Sequence, residues 1–120
     1  MVADKLDALQ NKFAGCETIA FADLSTQMIL VTNSSTEYRR ETLDQLCAEA
    51  ALTLGGRNRP LLGDQPGNAA FVATGSQLRI FLRASQEPTD VLCCVCAPDT
   101  DIDAFLAEAR ACLEAISNGE

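Results

Sequence analysis

Apolar positions along the chain alternate between a helical period and a strand period, and each change of period predicts an element. Val2, Leu6, Leu9 and Phe13 recur at i, i+4, i+7 and i+11, which places them on one stripe and predicts a helix over 2–14 stopped by Gly15. Residues 16–24 and 27–33 are rich in Ile, Val, Thr and Phe and predict two strands around Ser25-Thr26, close enough in sequence to pair as an antiparallel hairpin. A helical period returns over 37–54, where Leu43, Leu46, Cys47, Ala50 and Leu54 fall in one narrow arc. Ser34, Ser35 and Thr36 are candidate N-caps for this helix, and Gly55-Gly56 is its stop. Ala48 and Leu52 lie opposite the arc. A helix apolar on two sides is either buried or meets a partner, the plainer reading being a single exposed leucine.

Residues 55–67, GGRNRPLLGDQPG, read as a long Gly/Pro-rich loop. It is not a phosphate-binding loop, because no Gly-Lys-Ser/Thr follows the glycines. Strands are predicted at 68–74 and 77–84, joined by Gly75-Ser76 as a two-residue turn with Gly first. In the second of these, Leu78, Ile80 and Leu82 alternate with Arg79, Phe81 and Arg83, so one face is expected to be at least partly wet. Residues 91–97 are apolar almost throughout, as in a central strand covered on both faces. Thr100 or Asp101 then caps a last helix with Ile102, Phe105, Leu106, Ala109, Leu113 and Ile116 on its buried stripe and Gly119 beyond its end. The order α-β-β-α-β-β-β-α is dominated by hairpins. It predicts an α/β fold of the α+β type, a five-stranded antiparallel sheet with helices on both faces, and the 120 residues form one domain, 1–120.

Composition narrows the function. The formal net charge of −8 argues against nucleic acid, whose phosphates are held by Lys and Arg, and the arginines here are scattered. Residues 91–97 form the longest apolar run, far short of the ~20 residues of a membrane helix, so no membrane insertion is expected. The sequence Met-Val-Ala-Asp-Lys-Leu-Asp lacks the apolar stretch of a signal peptide, which points to the cytoplasm. The six cysteines sit inside apolar segments and are expected to be reduced, buried and structural. Histidine is absent, which removes the commonest general base and metal ligand. On a strand, Cys94 and Cys96 point to one face and Cys93 to the other, so their sulfurs do not converge on a metal. Asp99, Asp101 and Asp103 are explained by a helix start and lack the remaining positions of a calcium loop. No catalytic, cofactor-binding or metal residue is assigned, and the chain reads as a non-enzyme.

Phe-Ala-Asp-Leu-Ser-Thr-Gln-Met-Ile-Leu (21–30), the Leu-Asp-Gln-Leu-Cys helix, the Phe-Val-Ala-Thr-Gly-Ser-Gln-Leu-Arg-Ile-Phe hairpin and the Leu-Cys-Cys-Val-Cys strand together resemble the roadblock/dynein light chain family. The resemblance implies a three-layer sandwich with sheet order 2-1-5-4-3, the second helix on one face and the two terminal helices on the other. It implies a homodimer formed through the third strand and second helix, and a small Ras-like GTPase as a partner. On this sequence the interface residues are then Ala69, Ala70, Phe71, Val72, Ala73 and Thr74, with Ala48 and Leu52. The family commonly carries Gly where Gln27 stands. A left-handed Gln there costs roughly 1 kcal/mol, so a different turn type is expected. An uncharged edge strand without Pro is either an aggregation hazard or in use. Residues 68–74 and 27–33 are equally uncharged, so the bare sequence leaves the choice of edge open. The alternative function is a small-molecule sensor, which needs a pocket of ~300 Å³ or more with converging polar groups.

Overall fold

The computed structural model describes residues 2–54 and 68–119; the Gly/Pro-rich stretch 55–67, read above as a loop, lies outside the described residues. Its elements are α1 (Val2–Asn11), β1 (Cys16–Asp23), β2 (Met28–Thr32), α2 (Arg40–Leu54), β3 (Ala69–Ala73), β4 (Leu78–Arg83), β5 (Asp90–Cys96) and α3 (Ile102–Ser117). The five strands form one antiparallel sheet in the order β2-β1-β5-β4-β3. This is the order the resemblance implied, with the apolar strand β5 at the centre.

Two apolar layers hold the sheet, and the alternation of strand side chains sorts residues between them. On one side Leu6 and Leu9 of α1 and Phe105, Ala109, Leu113 and Ile116 of α3 cover Ile19, Ile80, Leu92 and Cys94. Phe13, just past α1, meets Phe105 edge-on with ring centroids 5.0 Å apart. Phe105 has no exposed surface, and truncating it to Ala would cost about 3–5 kcal/mol. On the other side Leu43, Leu46, Cys47, Ala50 and Leu54 of α2 cover Ala20, Ile29, Phe81, Val91, Cys93 and Val95. The five-residue arc read from the sequence is therefore the buried face of α2.

Several local expectations are corrected. The helix expected over 2–14 ends at Asn11, where Lys12 and Phe13 donate three residues back to Leu9 and Gln10 and tighten the last turn. Gly15 is not in the left-handed region; a Cβ there would lie 3.1 Å from that of Ala97, so glycine permits this close approach. The second helix begins at Arg40, three residues later than expected. Ser34, Ser35 and Thr36 do not cap it, because their hydroxyls are engaged elsewhere. Ser34 donates its N–H and hydroxyl to Asp7 at 2.7 Å each, Ser35 donates to Gln10, and Thr36 shares a 2.9 Å bond with Thr18. They pin α1 to the sheet. Ile102 is 39% exposed and drops out of the α3 stripe, whereas Asp101 caps α3 through a bond from Ala104 N–H, and Gly119 at φ 78° closes it.

Both hairpin turns differ from expectation in the same way: a side chain organises each. Gln27 does adopt the left-handed conformation, at φ 55°, where another turn type was expected. Asp23 builds that turn by accepting from Ser25 N–H at 2.9 Å and from the Ser25 and Thr26 hydroxyls. In the second hairpin Gly75 is not left-handed, and Thr74 Oγ1 accepts from Ser76 and Gln77 N–H instead. The largest correction concerns β4. The face carrying Arg79, Phe81 and Arg83 is wet only at the half-buried Arg79: α2 lies over the rest, Phe81 has no exposed surface and Arg83 is buried. Arg83 Nη2 reaches the Leu54 carbonyl at the end of α2, at 3.3 Å.

Candidate partner edge and cleft

A sheet has two edges, and here they are built differently. Along β2 the register slips between the Phe21 and Ala22 pairs, which leaves Leu30 as an extra residue in a bulge. Arg40, at the start of α2, donates to the Ile29 carbonyl at 3.3 Å. A bulge twists an edge away, and a capped carbonyl has one fewer place for an incoming strand. Along β3 the register with β4 is unbroken from Ala69↔Leu82 to Ala73↔Leu78. In sequence the two edges have the same character; the bulge and the cap make them different in construction.

Backbone parity gives β3 further detail. Arg83 N–H donates to Asn68 O and Thr74 N–H to Gln77 O, each at 2.9 Å, so pairs 68–83 and 74–77 are hydrogen-bonded. Antiparallel pairs alternate, which makes 70–81 and 72–79 hydrogen-bonded as well. Ala69, Phe71 and Ala73 then turn their N–H and C=O groups away from β4, toward whatever lies beyond the edge.

Side chains follow the same alternation. Ala70 and Val72 pack partly buried against the α2 layer, while Phe71 stands on the opposite face and is 47% exposed. Thr74 lies past the strand end and is occupied in its turn. Leu52 is 71% exposed and Ala48 is exposed beside it on the outer crown of α2. The body of α2 stands between this crown and β3, so within one copy the expected interface residues form two patches.

The cysteines fall as strand alternation requires. Cys93 joins Cys47 in the α2 layer, while Cys16, Cys94 and Cys96 lie in the other. Burial pushes the Cys93 and Cys94 thiols up, away from thiolate chemistry. Among the described residues no group of three Cys, Asp or Glu side chains is placed to hold a metal ion. Nor is any described helix long and apolar enough to cross a membrane.

One feature escaped sequence reasoning. A cleft of about 370 Å³ lies between α2 and the β4–β5 surface, floored by Leu46 and Val95 and walled by Thr42, Gln45 and Glu49 on the helix flank. Tyr38, Gln77 and Arg79 complete it. Arg79 Nη1 and Glu49 Oε1 form a half-buried ion pair at 2.7 Å. The Tyr38 hydroxyl donates to Glu17 at 2.7 Å and accepts from Gln77 Nε2 at 3.2 Å. Burial, with Glu17 beside it, pushes the Tyr38 phenol up to about 12, so it stays protonated and keeps donating. The signal that was available is the polar spacing Thr42, Gln45, Glu49 on one flank of α2, which reads as an ordinary solvated face until Arg79 is known to be covered.

No protein-family model matches the sequence, and no curated protein does. Solved structures do match. A Roadblock/LC7 domain from Streptomyces avermitilis superposes with a TM-score of 0.79 at 11% identity, over 97% of this chain and 94% of that one. The chain has the roadblock/LC7 fold. Myxococcus xanthus MglB superposes at 0.76 and 11% identity, over 98% and 92% of the two chains. An MglB in a tetrameric arrangement gives 0.75 and 11%, over 98% of this chain and 85% of that one. At these identities the likeness carries the roadblock fold and nothing about chemistry, because one fold hosts many functions.

Proposed function

We propose that the chain, as one roadblock domain over 1–120, is a non-catalytic homodimeric interaction module of the cytoplasm that acts on a small Ras-like GTPase. The observation that carries the dimer is the contrast between the two sheet edges. β2 is bulged and capped, while β3 is regular, uncharged and turns the polar groups of Ala69, Phe71 and Ala73 outward. Pairing two β3 strands about a two-fold axis satisfies those groups and brings the crowns of two α2 helices, with Ala48 and Leu52, to the same side. The GTPase follows from the roadblock resemblance, and the acidic surface suits a basic partner face.

Sedimentation at roughly 10–100 μM, a range that captures weak dimers, should give twice the chain mass. Adding a small Ras-like GTPase from the same genome should give a complex holding two copies of this chain. A monomer throughout that range removes the dimer. A dimer that ignores every such GTPase removes that partner and leaves the dimer standing. The second reading, a small-molecule sensor, has one observation in its favour: the cleft beneath α2 reaches the size such a sensor needs, with polar groups converging on it.

A further inference from the structure

The cleft between α2 and β4 holds one ion pair, Arg79 with Glu49, and the bonding of these two groups is incomplete. Among the described residues Arg79 is hydrogen-bonded only to Glu49, through Nη1. Its Nε is buried and has no acceptor. Among the described residues Glu49 accepts from Arg79 at Oε1 and from nothing at Oε2, and the side chains of Thr42 and Gln45 on the rim make no hydrogen bond. By contrast Tyr38, Glu17 and Gln77 satisfy one another and form a fixed wall. Beneath them Leu46 and Val95 offer an apolar floor.

A ligand must match this pattern of charge. A simple anion drawn to Arg79 would also meet Glu49, with Glu17 beyond it. A simple cation drawn to Glu49 would meet Arg79. A small zwitterion meets both with the right sign, its carboxylate on Arg79 Nη2 and its ammonium on the second Glu49 oxygen. A guanidinium N–H donating to a carboxylate is a charge-assisted bond, roughly twice as strong as a neutral one. The volume of about 370 Å³ admits a molecule of this class with a side chain laid on Leu46 and Val95.

We propose that this cleft binds a free α-amino acid with an apolar side chain, its carboxylate held by Arg79, its ammonium by Glu49 and its side chain by Leu46 and Val95. The site does not depend on self-association. It adjoins the β3 edge nevertheless, since Arg79 is the register partner of Val72.

Isothermal titration of the whole chain with each of L-leucine, L-isoleucine, L-valine, L-methionine and L-phenylalanine, to about 5 mM so that weak binding registers, tests this. At least one should give a saturable heat, and its N-acetyl and amide derivatives, each lacking one charge, should bind at least tenfold more weakly. Arg79→Gln should lose the same tenfold. Because that change also breaks the ion pair, Thr42→Trp serves as a second variant: it fills the cleft from an exposed rim position and should abolish binding with the melting temperature unchanged. No saturable heat from any of the five with folded protein overturns the proposal. So does equal binding of the uncharged derivatives, or full binding by a folded Thr42→Trp variant. The mass measured in the same buffer reports the dimer separately, so either reading can fail alone.

Discussion

Two proline substitutions one residue apart should have opposite consequences, because backbone parity along β3 assigns adjacent N–H groups to different partners. The Val72 N–H belongs to the hydrogen-bonded pair with Arg79, inside the fold. Val72→Pro removes that donor and leaves the Arg79 carbonyl short of a bond. The lost bond and the unpaired acceptor together cost about 2–4 kcal/mol. For a chain of this length that lowers the melting temperature by roughly 10 °C or more. The Phe71 N–H faces away from β4, and its ring is half exposed, so Phe71→Pro takes nothing from the β3–β4 ladder. Its cost to the folded chain should stay near 1 kcal/mol, as proline on an edge strand allows. In a symmetric β3 pair, however, the same donor is lost twice. At about 1 kcal/mol per bond, two bonds weaken dimerisation by about 30-fold. Thermal melts followed by circular dichroism read the first effect and sedimentation equilibrium the second. If Phe71→Pro melts as low as Val72→Pro, the parity is wrong. If Phe71→Pro is folded and dimerises as tightly as the parent, β3 is not the pairing edge.

Leu52→Glu should leave the melting free energy within about 0.5 kcal/mol, as surface changes do, while weakening assembly in sedimentation; a loss of several kcal/mol would place Leu52 in the core. Gly75→Ala should stabilise the chain by about 0.4–1 kcal/mol in denaturant melts, since Gly75 is not left-handed and a Cβ there meets nothing within 4 Å; destabilisation would show that the turn needs glycine. In native protein a thiol reagent should modify Cys112 first, the other five cysteines being buried and reacting only on unfolding; rapid loss of two or more thiols would contradict this burial. The two bonds from Ser34 hold the Asp7 carboxyl below its ordinary value of 3.8. Their contribution is therefore complete above that pH and disappears as pH falls through the lowered value. Asp7→Asn should flatten this acid limb in pH-dependent melts, and an unchanged limb would assign the acid sensitivity to other carboxylates.

What the sequence disclosed and what it hid follow from the range of the interactions involved. Buried faces were legible because burial imposes a period that the chain itself carries. All five residues of the α2 arc are buried, and the continuous apolar run of β5 is covered on both sides. Element ends were less legible because capping groups have choices. Ser34, Ser35 and Thr36 look like caps for α2, yet Asp7, Gln10 and Thr18 compete for them across distances of 18 to 27 residues. The same competition set the turns, where Asp23 and Thr74 supply bonds that glycine geometry would otherwise replace. Arg79 and Arg83 misled for a related reason. Charged residues alternating with apolar ones suggest a wet face, but Glu49 and the Leu54 carbonyl, both on α2, give these two arginines partners under the helix.

The choice of edge lies at the far end of this scale. Residues 28–32 and 69–73 are both short, apolar and free of charge, so composition along each strand carries no preference. What separates them is set by other parts of the chain. The bulge at Leu30 arises from how β2 registers against β1, and the cap on Ile29 comes from Arg40, which reaches β2 only because α2 crosses that face of the sheet. Arg40 is itself an exposed residue with an ordinary i,i+4 contact to Asp44. Nothing in its sequence neighbourhood marks it as an edge guard. Arg40→Ala should therefore uncover the Ile29 carbonyl while leaving the core of α2 intact. A bulged strand still pairs poorly, so the variant should gain at most slow, concentration-dependent association, visible as a rise in scattering on storage. Combining Arg40→Ala with deletion of Leu30, which restores an even register, should make that association rapid. If the combined variant remains folded and shows the parent's association behaviour, the bulge and the cap are not what keeps β2 closed.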